Sequence, residues 1–129
     1  MTEWLKTAGI ADAELFDGSG LSRKNRCSVA SLVKLLAWWR LQKEFKPFVE
    51  SLPASGADPG TLKRRMTAIK GKVRDKTGHI SGVSALSGYV ETESGDTMVF
   101  SIVVNGGASG SAARMQDTIC EILAKAKGD

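Results

Sequence analysis

Residues 72–105 read K-V-R-D-K-T-G-H-I-S-G-V-S-A-L-S-G-Y-V-E-T-E-S-G-D-T-M-V-F-S-I-V-V-N, and the fold turns on this stretch. Its β-branched and aromatic residues, cut by glycines and by a polar turn at Glu93, Ser94, Gly95 and Asp96, predict three strands: Lys72 to His79, Ala85 to Thr92 and Thr97 to Asn105. On the third, Met98, Phe100, Ile102 and Val104 point one way while Val99 and Val103 point the other. A strand apolar on both sides belongs in a sheet covered by helices on both faces.

The flanking sequence supplies those covers. Upstream, Ser28 reads as a cap, and Val29, Leu32, Val33, Leu36 and Trp39 recur at helical spacing, which predicts a helix to about Gln42. A shorter helix is predicted from a Thr2 cap through Ala8, with Trp4, Leu5 and Ala8 on one face and Gly9 at its stop. Pro47, Pro53 and Pro59, with Gly56 and Gly60, break Glu44 to Gly60 into short turns, and Thr61 to Met66 reads as a brief helix. Downstream of Gly106 and Gly107, residues Ala112, Met115, Ile119, Ile122, Leu123 and Ala126 mark an amphipathic helix. The expected fold is α/β (α+β): one domain over 1–129, a three-stranded antiparallel sheet flanked by helices.

Composition agrees with a packed domain: of 129 residues 42% are hydrophobic and 25% charged, which argues against disorder. The apolar run Val29 to Trp39 is too short to cross a bilayer, so no membrane span is expected. The N-terminus lacks a basic region followed by an apolar run, so the chain as written is expected in the cytosol. Cys27 and Cys120 have no second thiol or histidine at metal-ligand spacing, so no metal is expected; a disulfide between them and two buried thiols are both open.

A net charge of +4 permits an anionic partner. Lys63, Arg64, Arg65, Lys70, Lys72, Arg74 and Lys76 crowd one segment, with Asp75 the only acid among them. Trp4, Trp38, Trp39 and Phe100 lie on predicted apolar faces and none interleaves with that run to stack a base, so nucleic acid is not the expected partner.

Lys76, Thr77 and Gly78 place an ammonium and a hydroxyl beside a glycine on a strand, with Lys76 and Gly78 facing one side and Thr77 and His79 the other. K-T-G alone occurs by chance in many proteins. Here it stands in a longer order: D-G-S-G-L-S-R at 17–23, S-L-P at 51–53, G-T-L-x-x-R at 60–65, K-T-G-x-x-S-G-V-S-A-L-x-G-Y-V at 76–90 and F-S-I-x-V-N at 100–105. That order resembles the class C low-molecular-mass penicillin-binding proteins, which are serine-type D-alanyl-D-alanine carboxypeptidases and endopeptidases, and it covers nearly the whole chain. The resemblance implies part of a transpeptidase/serine-β-lactamase-like domain that works without a cofactor and acts outside the cytoplasm on peptidoglycan stem peptides, with β-lactams as further ligands.

The family joins S-x-x-K, S-x-N and K-T-G around one cleft. By resemblance, Lys76 supplies positive charge beside the nucleophile and the substrate's terminal carboxylate. Thr77 donates to that carboxylate, Gly78 lets the substrate backbone approach, and the main-chain N–H of His79 joins the oxyanion hole. Family members usually carry a hydroxyl residue at the position of His79; its imidazole either replaces that donor, blocks the pocket, or is a plain surface residue. Arg23 corresponds to an arginine near the pocket for the stem-peptide side chain, or else pins its loop together with Asp17. Ser19 and Ser22 read as turn caps.

No S-x-N occurs, and the only S-x-x-K, at Ser31 and Lys34, follows D-G-S-G-L-S-R where the family's nucleophile precedes it; Ser31 is therefore expected to be a helix residue. Two readings remain: half of a carboxypeptidase site completed by another polypeptide segment, or a non-catalytic peptide-binding module. In either, the strand Thr97 to Asn105 is interior in the family's sheet, so here it is expected either to pair with the N-terminal part of such an enzyme or to self-associate.

Overall fold

The structure, a computed structural model, describes residues 2–127, the side chains of Thr2 and Ser109 excepted. Along the chain come α1 (Thr2–Thr7), α2 (Val29–Arg40), α3 (Phe45–Ser51), a 3-10 turn (Thr67–Ile69), strands β1 (Val73–Ile80), β2 (Val83–Glu91) and β3 (Thr97–Asn105), and α4 (Ser109–Ala124). The strands form an antiparallel sheet in the order β1-β2-β3, with helices on both faces as the sequence predicts.

β1 and β2 are joined by Ser81 and Gly82 alone, with Ile80 opposite Val83, so both strands run further toward each other than expected. Gly82 takes the left-handed conformation that such a tight turn requires, at φ 79°. In mid-sheet Gly88 lies opposite Asp75 on one side and Phe100 on the other. A Cβ at Gly88 would stand 2.7 Å from the Cα of Asp75, so only glycine lets β1 lie this close.

The face bearing Val73, Leu86, Val90 and Phe100 packs under α4 with Leu62 and Met66 to form the main core. The buried stripe of α4 is Ala112, Gln116, Cys120 and Ala124; Ala112 is as expected and Leu123 packs against the core, but the rest of the expected face is corrected. Met115 and Ile122 are 45% and 64% exposed, and Ala126 lies past the helix end. The small side chains of Ala112, Cys120 and Ala124 let α4 settle over β2 around the buried Gln116, and Met115 and Ile122 are left exposed.

On the opposite face, the Tyr89 hydroxyl donates to the Leu36 carbonyl at 2.8 Å, and Phe45 meets the Tyr89 ring edge-on at 5.1 Å. Beyond α2, Leu35 and Trp38 pack on a second small cluster of Leu5, Ala8 and Ile10. Because α2 lies between these two thin layers, Leu32, Val33, Leu36 and Trp39 are only half-buried and Val29 is exposed. Its Ser28 cap is as predicted, accepting from the Ser31 amide at 3.1 Å.

Three further expectations shift. Thr2 lies inside α1 rather than before it. Residues 61–66 are turns, because the Leu62 and Arg65 carbonyls accept from the Gly56 amide and Met66 adopts a left-handed φ of 52°; the helical turn comes after it. Cys120 is buried but Cys27 is exposed, and both are free thiols.

Candidate functional site

The outer edge of β1 changes character halfway along. In an antiparallel ladder every second residue turns its N–H and C=O away from the partner strand. The Glu91 amide donates to the Lys72 carbonyl at 2.8 Å, which sets the even-numbered residues of β1 toward β2 and the odd-numbered ones outward. The outward amides of Val73 and Asp75 end on Ser55 Oγ at 3.2 Å and the Pro53 carbonyl at 3.1 Å. That cover stops at Asp75, and the amides of Thr77 and His79 face an edge without a pairing segment among the described residues. The Lys76 ammonium lies along this edge, donating to the Thr77 carbonyl at 2.5 Å.

Register places Thr77 and His79 on the α4 side and Lys76 and Gly78 on the α2 side, as alternation predicts. On the α4 side a groove of about 400 Å³ is lined by Thr61, Arg65, Thr77, Gly78, His79, Ser84 and the start of α4 at Gly110 and Ala113. The Thr77 hydroxyl donates to Thr61 Oγ1 at 3.3 Å, and Gln116 donates to Ser84 Oγ at 3.3 Å. Arg65 donates from Nε to Asp117 at 2.9 Å, and from Nη2 to the Ala113 carbonyl and to Gln116 Oε1, each at 3.3 Å. An extended peptide on this edge would meet outward amides, an ammonium and hydroxyls, a set that suits a carbonyl oxygen and a carboxylate.

Arg23 and Asp17 do not pair with each other. Asp17 organises the 17–25 loop, accepting from Asn25 Nδ2 and Ser19 Oγ at 2.7 Å, the Ser22 amide at 3.0 Å and the Gly20 amide at 3.2 Å. Those bonds, Asn25's first, hold its carboxyl below the usual carboxylate range. Arg23 instead donates to the Ser81 carbonyl at 2.9 Å, docking the loop on the β1–β2 turn just past His79.

Ser31 is buried and donates its hydroxyl to Asp12, whose carboxyl is held below its usual range by bonds from Ser28 and then Ser31. Lys34 is exposed, so the local S-x-x-K spacing brings no lysine to that serine. The basic run disperses too: Lys63 pairs with Asp58, Arg65 with Asp117, and Arg74 donates to the Glu50 and Leu52 carbonyls. Among the described residues no three His, Cys, Asp or Glu side chains converge as a metal-ligand set.

Sequence reasoning passed over Asp75. It is fully buried beside Gly88, and neither carboxyl oxygen has a hydrogen-bond partner among the described residues. Burial pushes its carboxyl up to about 7, with the charge of Arg65 opposing and that of Asp117 adding to the rise. The signal was present in the alternation, which puts Asp75 on the same side as Val73. Thr61 and Arg65 were read as parts of G-T-L-x-x-R, of a brief helix and of a basic run, with no hint that the turn carries them to Thr77.

Residues 1–126 match the D-Ala-D-Ala carboxypeptidase 3 (S13) family. The chain belongs to this family. It is 44% identical over 128 residues to a D-alanyl-D-alanine carboxypeptidase from Actinomadura sp., covering 95% of this chain and 23% of that protein. To carboxypeptidase DacB from Mycolicibacterium smegmatis it is 35% identical over 120 residues, covering 84% of this chain and 26% of that one. Among solved structures it is similar to penicillin binding protein 4 from Haemophilus influenzae, with a TM-score of 0.81 and 26% identity over 97% of this chain and 31% of that one. The same protein complexed with a β-lactam gives a TM-score of 0.80. The chain thus spans about a quarter of the length of these curated relatives. None of its described helices is long and apolar enough to cross a membrane.

Proposed function

We propose that the chain provides the substrate-carboxylate and oxyanion side of a serine-type D-alanyl-D-alanine carboxypeptidase site for peptidoglycan stem peptides, and that β-lactams enter the same groove. The observation that carries this reading is the open edge at Thr77 to His79 beside the groove that Thr61, Arg65 and Ser84 line. A D-Ala-D-Ala end laid along that edge places its scissile carbonyl oxygen at the His79 N–H and its terminal carboxylate at the Thr77 hydroxyl. Lys76 leaves the Thr77 carbonyl to neutralise that carboxylate and to stand beside the nucleophile. Gly78 keeps the approach open, and Arg23 at the neighbouring turn reaches the stem-peptide side chain with the donors that Ser81 does not use.

In this reading the nucleophile is a serine of an S-x-x-K segment outside these 129 residues, accompanied by S-x-N, because Ser31 is committed to Asp12. That serine attacks the D-Ala-D-Ala amide carbonyl, the terminal D-Ala leaves as its amine takes a proton, and water then hydrolyses the acyl-enzyme. Such substrates place the working enzyme outside the cytoplasm. The strand β3, whose outer edge has no pairing strand among the described residues, is where the remaining polypeptide or a second copy would pair. Intact mass after incubation with a β-lactam tests the division of labour. We expect no covalent adduct on this chain alone; a stoichiometric adduct lost in Ser31→Ala would overturn it.

A further inference from the structure

The groove beside Thr77 holds a cation that the roles above leave unused. We infer that Arg65 is a specificity-determining residue of this groove, pairing through Nη1 with the terminal carboxylate of the ligand. The inference rests on the proposed substrate site and adds a second, charged anchor to it.

Three features carry it. The first is placement: Arg65 lines the same groove as Thr77, Gly78 and His79, and no acid is among the lining residues, so an anion is the favoured occupant. The second is rigidity. Nε and Nη2 are taken up by Asp117, Gln116 and the Ala113 carbonyl, which fixes the guanidinium plane, while Nη1 donates to nothing among the described residues. A pre-oriented guanidinium loses little freedom on binding a carboxylate. The third is environment: the Arg65 side chain is only 22% exposed, so water screens its contacts less than those of a surface arginine.

Asp117, 2.7 Å from Nη2, offsets part of the charge and points to a test of opposite sign. Removing Arg65 should weaken carboxylate binding, whereas removing the negative charge of Asp117 should strengthen it. Loss of fold weakens binding in both variants and for any ligand, so it cannot mimic this pattern.

The experiment compares N-acetyl-D-Ala-D-Ala with its C-terminal amide by NMR titration of the full chain. In Arg65→Gln we expect the acid to bind about tenfold more weakly and the amide to change less than twofold. In Asp117→Asn, which can keep the oxygen that accepts from Nε, we expect the acid to bind about threefold more tightly and the amide to be unchanged. Equal loss for acid and amide in Arg65→Gln, or an unchanged acid affinity in Asp117→Asn, would overturn the role of Arg65 while leaving the Thr77 site standing. No response to either ligand at Lys76 to Ile80 in the unaltered chain would overturn both.

Discussion

The two outer strands of the sheet, β1 and β3, both leave backbone amides without a pairing strand among the described residues, but over different lengths and in different company. On β1 the segment Pro53–Ser55 covers the first outward positions, and only Thr77 to His79 stays open, beside hydroxyls, Lys76 and the groove. On β3 the outward residues are Thr97, Val99, Ser101, Val103 and Asn105, the whole length of the strand. Val99 and Val103 are among those outward residues, and Met98 is exposed on the strand. A short polar edge can hold a peptide and release it. A long apolar edge favours a lasting partner. In the proposed reading the same unpaired backbone serves as a site at one end of the sheet and as an interface at the other.

The largest expected effect is at β3. The chain on its own should self-associate, with light scattering giving a mass at least twice that of one chain, rising with concentration. Val103→Pro removes an outward donor and leaves the bonds to β2 intact, so it should return the chain toward monomer. A monodisperse, cooperatively folding monomer at every concentration would refute the contrast between the edges.

Asp75 probes the closed half of β1. Its folded carboxyl is raised from 3.8 to about 7, so the folded state holds a proton that the unfolded chain releases. Stability should therefore fall as pH rises from about 4 to about 7 and level off above, by at most about 4 kcal/mol. Asp75→Asn should abolish that slope and be the more stable protein at pH 8, as urea melts across pH would record. A wild-type stability that rises over the same range would contradict the burial argument.

Gly88→Ala should cost about 3 kcal/mol, because its methyl meets the backbone of β1 at Asp75 rather than a movable side chain. A smaller loss, within about 0.5 kcal/mol by denaturant unfolding, would mean that β1 is held less tightly than the register implies. Tyr89→Phe, which removes only the hydroxyl bonded to Leu36, should cost about 1 kcal/mol and leave groove binding unchanged.

How legible this was depended on whether period or tertiary packing decided each feature. The strands could be read because alternation is local: β3 begins and ends where its pattern does, and the opposite facings of Lys76 and Thr77 follow from the register. The Ser28 cap was equally local. What could not be read depended on neighbours far off in sequence. Hydrophobicity ranked Met115 and Ile122 as core, but the close approach of α4 to β2 kept Ala112 and selected Gln116, Cys120 and Ala124 instead. Arg65 and Thr61 reach the groove only because the Gly56 amide binds the Leu62 and Arg65 carbonyls and bends their turn back over the sheet. Arg23 was expected either near the substrate pocket or paired with Asp17, and its partner is instead the Ser81 carbonyl, a backbone atom that no side-chain pattern announces.

The most direct test of the central claim is to follow the backbone amides of Lys76 to Ile80 by NMR while titrating a D-Ala-D-Ala peptide. With only one wall of the cleft present, binding should be weak, with a dissociation constant of about millimolar or above, near 4 kcal/mol. Thr77 and His79 should shift first, while the outward amides of β3 stay still, and Lys76→Ala should diminish the response. Shifts of equal size in Lys76→Ala, or shifts centred on β3, would show that the open end of β1 is not the site.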